Sequence, residues 1–385
     1  MPKKHLLEAI STLIGFTIGA GILGIPFVVA KAGFLTGMLN ILVLGILILI
    51  LNLYLGEISL RTKGIHQLTG YAKIYLGKTG TYLMAASFII SLHGALIAYI
   101  IKTGEFLNAL LGPVFGGNII FYSIIFFILS FIIIFKGIRE VERSELSMVI
   151  LIFIIIIILA IFAAPNINAN NLTDFSIKNV FIPYGVVFFA FLAMPAIPSM
   201  NEELKNNKKD LKKAIIIGSL IPLIIYILFA IIVVGITGIN TTDGAIIGLA
   251  TVLGDKILIM GTILGILTMT TSFIAVAFAL TQMYHLDYNI KKKISSTLAC
   301  FIPLIIALVI INSNIKNSFF TVLDITGSLG GSLAGILIIL IWLKAKKAGK
   351  RKPEFSIFKN NILSIAIILM FVLGMIFKLY EILKI

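Results

Sequence analysis

The chain is poor in charge. Lys, Arg, Asp and Glu make up 12% of its 385 residues, about half the share of an ordinary soluble domain. Hydrophobic residues make up 59%, and the mean hydropathy is +1.13. No soluble core needs that much apolar sequence, so an all-α polytopic membrane protein is expected. Cysteine is nearly absent too. Cys300 stands alone in an apolar run, which excludes a disulfide within the chain and a cysteine-based metal site. Acidic residues are scarce, 16 against 31 basic, for a net charge of +15. Nucleic acid is not implied, because the cations sit in short loops between apolar runs, with no interleaved aromatics and no basic domain. No span holds HExxH or two nearby aspartates, which leaves an intramembrane enzyme without its acid–base groups. There is also no filter-like repeat, acidic ring or Arg-rich span of the kind a channel uses. The expected partners are the lipid bilayer and a small-molecule substrate, with no cofactor and no obligate protein partner.

What the chain has in plenty is apolar runs of about 20 residues, the length of a membrane-crossing helix. They fall at about 8–32, 36–58, 81–108, 118–136, 146–164, 180–200, 213–237, 256–284, 295–312, 319–343 and 360–382, giving eleven expected spans. Between the second and third, Arg61–Gly80 carries Tyr71, Ile74, Tyr75 and Leu76 and reads as an amphipathic helix in the interface. The run after Met1-Pro2-Lys3-Lys4 is too long for the apolar part of a signal peptide and is expected to be retained as the first span. Lys31, Lys102, Lys178, Lys256, Lys316, Lys378 and Lys384 fall toward one side. The remaining Lys and Arg, including Arg61, Lys63, Lys205–Lys213, Lys291–Lys293 and Lys344–Lys352, fall toward the other. The positive-inside rule then predicts a multi-pass protein of the cell membrane with a cytoplasmic N-terminus and an outer C-terminus.

Helix breakers inside the spans are few and concentrated. Gly19-Ala20-Gly21-Ile22-Leu23-Gly24-Ile25-Pro26 lies at the middle of the first span. Glycine costs a helix about 1 kcal/mol relative to alanine, and proline removes an N–H and clashes with the preceding turn. In a bilayer, unpaired backbone is tolerated only where protein or a water-filled cavity satisfies it. A helix broken at mid-membrane, with free backbone groups aimed at a polar solute, explains the pattern; Gly15 and Gly19, spaced as GxxxG, would also serve close helix packing. In the sixth span Pro195 and Pro198 follow Phe188-Phe189-Ala190-Phe191. Two interrupted helices five spans apart run in opposite directions, as they do in two inverted repeats with a site at their interface. A pair of plain proline kinks gives the same pattern.

Gly15-Phe16-Thr17-Ile18-Gly19-Ala20-Gly21-Ile22-Leu23-Gly24-Ile25-Pro26 resembles the first-helix signature of the amino acid/auxin permease family, and within it the bacterial tyrosine and tryptophan permeases. Phe188–Phe191 with Pro195-Ala196-Ile197-Pro198-Ser199, Thr271-Ser272-Phe273 and Ala95-Leu96-Ile97-Ala98-Tyr99 are similar to later segments of that family. The resemblance implies the fold of the amino acid–polyamine–organocation superfamily, a LeuT-like five-plus-five inverted repeat with discontinuous helices 1 and 6. A transporter core at 1–343, with repeats at about 8–164 and 180–343, would precede a cytoplasmic basic loop and an eleventh transmembrane helix in 344–385. The implied function is ion-coupled import of large neutral or aromatic amino acids by alternating access. A channel or a carrier of another small solute on the same fold is the alternative.

An amino acid brings a carboxylate, an ammonium and a side chain. The amides of Gly19, Ala20 and Gly21, opening a half-helix at its positive end, suit the carboxylate. Carbonyls around Phe189, Ala190 and Phe191 suit the ammonium. Phe188, Phe189 and Phe191, with His93 and Tyr99 from the third span, are expected to line the side-chain pocket. His93 would equally serve as a neutral ring bonded to a neighbouring helix. Thr268, Thr271 and Ser272 share one helical face; with carbonyls at Gly15 and Ile18 they could hold Na⁺. Sodium-coupled relatives often carry asparagine at the position of Gly15, and the lysine that some proton-coupled relatives place in the fifth helix is missing from Met148–Ala164. The coupling ion, Na⁺ or H⁺, therefore stays open. Lys31 and Asp324 are a candidate outer gate pair, and Glu57 and Glu142 are expected to pair with loop Arg or Lys residues.

Overall fold

Glycine and proline decide where the long apolar helices stop and turn. The computed structural model describes residues 2–136, 141–313, 315 and 317–383, and all regular elements among them are helical. Helices α1 (Pro2–Thr17) and α2 (Gly21–Ala32) are bent by 51° across residues 18–20. After Gly33 come α3 (Phe34–Arg61) and α4 (Leu68–Phe115). α4 is interrupted at Gly77, whose φ of 72° suits glycine and few other residues. Next are α5 (Ile119–Lys136), α6 (Val141–Ala163), and the short pair α7 (Tyr184–Ala190) and α8 (Ala196–Glu203). α9 (Leu211–Thr237), α10 (Ile246–Leu253), α11 (Asp255–Gln282) and α12 (Lys292–Asn312) follow. The chain ends with α13 (Ser318–Ile325), α14 (Ser332–Ala348) and α15 (Asn361–Leu383). A π-helical turn, Thr326–Gly331, joins α13 to α14, and another, Met283–Asp287, extends α11.

Among the described residues eight helices are long and apolar enough to cross a membrane, or nine when the bent α1–α2 pair counts as one. The expected window at 118–136 is occupied by α5, a shorter apolar helix, and the window at 180–200 is divided between α7 and α8. α4 lies at the centre: 83% of its apolar window is buried against protein, compared with 22% for α15. It packs against α5, α11, α12 and α14. α3, α5, α6, α12 and α15 turn large apolar side chains such as Ile46, Leu129, Ile154, Ile305 and Leu369 outward. An apolar exterior around an apolar core is what a bilayer solvent selects.

The first two turns of α4 correspond to the expected amphipathic helix. Leu68, Tyr71, Ala72 and Tyr75 form its buried face, so that face meets protein, while Lys73 and Ile74 are exposed. Asp287 holds this segment by accepting from the Thr69 hydroxyl and from the Gly70 amide (3.1 Å).

Among the described residues the buried charges are all paired. Glu57, at the end of α3, accepts from Arg61, the Trp342 indole (2.8 Å), Lys346 (3.1 Å), Ser356 (2.8 Å) and the Ile357 amide (2.9 Å). It thereby ties α3, α14 and the loop before α15 together. At the other end of α4, Lys102 reaches Glu105 (2.6 Å) and Asp243 (3.5 Å) beneath the ring of Phe319. The expected Lys31–Asp324 pair is not formed. Asp324 pairs with Lys378 of α15, and exposed Lys31 lies over the rings of Phe27 and Phe320. Both lysines lie near the same end of their helices, and only the packing of α15 against the turn after α13 decides between them. The side chain of Glu142 lies outside the described residues.

Candidate functional site

The two helix breaks face each other. A Cβ added to Gly21 would overlap the backbone of Ala190, so the start of α2 touches the end of α7 where only glycine allows it. Tyr226 of α9 joins them, its buried hydroxyl donating to the carbonyls of Thr17 (2.6 Å) and Ala190 (2.9 Å). Between the breaks, α4 and α11 lies a narrow cavity. Its volume is about 30 Å³. Gly19 and Gly21 border it from the first break, and Phe189, Leu192, Met194 and Pro195 from the second. Phe88, Ser91, Leu92, Ala95 and Tyr99 of α4 form another wall, and Phe16, Thr17, Leu68, Val276 and Ala334 complete it.

The two breaks differ in what they leave unpaired. At the first, Gly19 donates to Thr17 (3.1 Å), Ile22 to Gly19 (3.4 Å) and Leu23 to Ala20 (3.1 Å). Among the described residues the amides of Ala20 and Gly21 donate to no backbone carbonyl. These are the orphan donors of a helix N-terminus, at the positive end of the dipole of α2. At the second break the amides of Phe191, Leu192, Ala196 and Ile197 are all taken by carbonyls three or four residues back. The next residue, Pro198, has no N–H to offer. In the connecting turn the amides of Ala193 and Met194 donate to no backbone carbonyl among the described residues, so the second break keeps donors as well as acceptors. The end of α7 presents carbonyls: Phe189 accepts from Leu192 (2.9 Å) and Ala190 from Tyr226, each with a second lone pair to spare, and among the described residues Phe191 accepts from no backbone amide.

The expected pocket residues separate. Gly19, Gly21, Phe189 and Tyr99 border the cavity; Ala20, Ala190 and Phe191 belong to the breaks without lining it. The ring of Phe191 turns to Tyr226 (5.1 Å between centroids) and Gly45, and Phe188 packs on Phe371 (5.1 Å) and Gly331. Around a helix residue 189 points about 100° from 188 and about 160° from 191, and of the three Phe189 alone borders the cavity. His93 also lies outside the lining. It is 5% exposed, with Nδ1 against the Ile89 carbonyl (3.2 Å), Nε2 without a partner, and its ring beside Tyr284.

The three hydroxyls on α11 separate as well. Ser272 donates across to the carbonyls of Gly15 (2.9 Å) and Ile18 (3.3 Å), so three oxygens converge behind Gly19. Thr268 and Thr271 donate to carbonyls of their own helix, Gly265 (3.0 Å) and Thr268 (2.8 Å). The Tyr99 hydroxyl approaches the same place: a Cβ on Gly19 would lie 2.7 Å from Ser272 Oγ and 2.9 Å from the Tyr99 hydroxyl. Tyr226 and Ser91 went unnoticed in the sequence. Each carried a signal, because a lone phenol or hydroxyl inside an apolar span needs a polar partner once buried.

Residues 2–378 match the model of the tryptophan/tyrosine permease family. The chain is similar to the tyrosine-specific transport system 1 of Haemophilus influenzae, 29% identical over an alignment covering 94% of each chain. It is also similar to glutamine transporter 2 of Aliivibrio fischeri, 26% identical over 75% of this chain and 77% of that one. Among solved structures, MhsT in complex with L-phenylalanine superposes with a TM-score of 0.69 at 16% identity, covering 96% of this chain and 98% of that one. At that identity the likeness establishes the shared fold.

Proposed function

This chain belongs to the tryptophan/tyrosine permease family and is a multi-pass amino acid transporter; from that premise we propose that it imports large neutral or aromatic amino acids, driven by an ion gradient, by alternating access around the cavity between its helix breaks. The observation that carries this reading is the meeting of the two breaks at Gly21 and Ala190, with free backbone groups on each. Free amides at Ala20 and Gly21 suit the substrate carboxylate, and Gly19 and Gly21 let it approach the backbone. The acceptor-only end of α7, at Phe189, Ala190 and Phe191, suits the ammonium. The wall of Phe88, Leu92, Phe189 and Val276 suits an apolar side chain. The tyrosine-specific relative and the phenylalanine bound to MhsT support the same substrate class.

In this reading α1–α2 and α7–α8 are the first and sixth of eleven spans, and repeats at about 8–164 and 180–343 are inverted about the cavity. The charge of the loops supports a cytoplasmic N-terminus and an outer C-terminus. The coupling ion is Na⁺, held by Ser272 Oγ with the Gly15 and Ile18 carbonyls; hard oxygen donors from a broken helix suit it. Thr268 and Thr271 flank that position, bonded to their own helix.

Uptake of labelled tyrosine, tryptophan, leucine, alanine and glutamine by proteoliposomes, under separate Na⁺ and H⁺ gradients, tests the proposal. Aromatic amino acids should accumulate under Na⁺. Ser272→Ala should lower that uptake about tenfold, the effect of losing roughly one hydrogen-bond-sized interaction. Accumulation under H⁺ alone would remove the Na⁺ site and turn attention to His93. Glutamine as the preferred substrate would overturn the aromatic assignment.

A further inference from the structure

Polar side chains are few around the cavity, and all but one are occupied. The Thr17 hydroxyl donates to the Leu13 carbonyl (2.7 Å), and the Tyr99 hydroxyl is a hydrogen-bond partner of Ser272. Ser91 of α4 is the exception. It lines the cavity, is 7% exposed, and its Oγ has no hydrogen-bond partner. The reason lies one turn earlier on the same face. Ser87 donates to the Gly330 carbonyl (2.6 Å), taking the acceptor that the π-helical turn Thr326–Gly331 presents to this face of α4. The bond a buried serine ordinarily makes to the carbonyl four residues back on its own helix is unmade here as well. A buried hydroxyl left in that state is costly unless something fills it.

Ser91 stands eight residues before Tyr99 on α4, about 12 Å of helix at 1.5 Å per residue. Tyr99 meets the first break at Gly19. The cavity thus has backbone polar groups at one end, an apolar middle formed by Phe88, Leu92 and Ala95, and toward the other end Ser91, whose unpartnered hydroxyl is seated between the cavity wall and Gly330.

We propose that Ser91 is a specificity-determining residue that hydrogen-bonds the polar tip of an aromatic substrate, the phenol hydroxyl of tyrosine in particular, and so favours tyrosine over phenylalanine. This rests on the aromatic assignment made above. A site built to bond a substrate hydroxyl rejects the analogue that lacks it, because the buried group is then left unpaired. A purely apolar pocket discriminates far less.

The test is KM and kcat for labelled tyrosine and phenylalanine in proteoliposomes, for wild type and Ser91→Ala, with Ser91→Cys as a second variant of similar volume and much weaker hydrogen bonding. The expected result is a KM for tyrosine raised about five- to tenfold in both variants, with the KM for phenylalanine not raised and, in Ser91→Ala, lowered, since the unpaired hydroxyl is gone. Retained phenylalanine uptake also reports that the variants are folded. Loss of both substrates in Ser91→Ala, repeated in Ser91→Cys, would make Ser91 a packing residue and overturn the inference. An unchanged tyrosine-to-phenylalanine ratio would overturn it too. Failure of wild type to carry either substrate would instead overturn the aromatic assignment, and the role of Ser91 with it.

Discussion

The two interruptions of the helical scaffold reach a similar place by different chemistry. At 18–20 the breakers are glycines. They release the chain from the helix while keeping every N–H, so the half-helix that follows opens with free donors at Ala20 and Gly21. At 191–195 the turn is tight and proline-rich. The amides of Phe191, Leu192, Ala196 and Ile197 are consumed by local carbonyls and Pro198 has none, while those of Ala193 and Met194 stay free beside the acceptors at the end of α7. Contact between Gly21 and Ala190 brings the two together. The residue chosen to break a helix therefore also decides which backbone groups are left free beside the break.

The comparison is broken most severely at its contact point. Gly21→Leu forces a side chain into the backbone of Ala190, and substrate uptake should fall about 100-fold or more, as expected when binding groups are displaced by an ångström. Uptake and equilibrium binding of labelled substrate check this, with size-exclusion elution reporting the fold; wild-type transport by this variant would defeat the assignment of the site. A smaller effect is expected of Tyr226→Phe. It leaves the Thr17 and Ala190 carbonyls without their shared donor, a loss of about 1–3 kcal/mol for buried groups. Thermal unfolding in detergent should show a lower Tm, and added substrate should recover part of it by binding across the same two breaks. The smallest effect belongs to Pro198→Ala. It restores one N–H to α8, where local carbonyls can take it, so KM should change less than about threefold. A larger drop in KM would mean that the second break can also bind the carboxylate.

Much of this molecule was legible in its sequence, and the legible part has a common character. The apolar runs, the break at Gly19–Gly21 and the interruption before Pro195 and Pro198 are local properties: each is written in fewer than about 25 consecutive residues, and no distant neighbour reverses them. The same holds for the basic loops and for Glu57, which meets Arg61 four residues along its own helix as well as Lys346. The two helix breaks were legible in outline for that reason.

What the tertiary structure alone decided is the direction of side chains and the choice of distant partners. Phe188, Phe189 and Phe191 are alike in composition, and only the rotation of α7 against α9 and α15 selects Phe189 for the cavity. Thr268, Thr271 and Ser272 share a face, yet Ser272 alone reaches the carbonyls of Gly15 and Ile18, more than 250 positions away in the chain. Asp324 takes Lys378 rather than Lys31, and Tyr226 bonds Thr17 across 209 positions. The sequence by itself determined that the chain is a membrane bundle broken at two places, because hydrophobicity and helix breaking are properties of a few adjacent residues. Which groups meet at the breaks was left to the packing of whole helices, because a hydrogen bond needs two partners within about 3 Å, and only the folded chain brings them there.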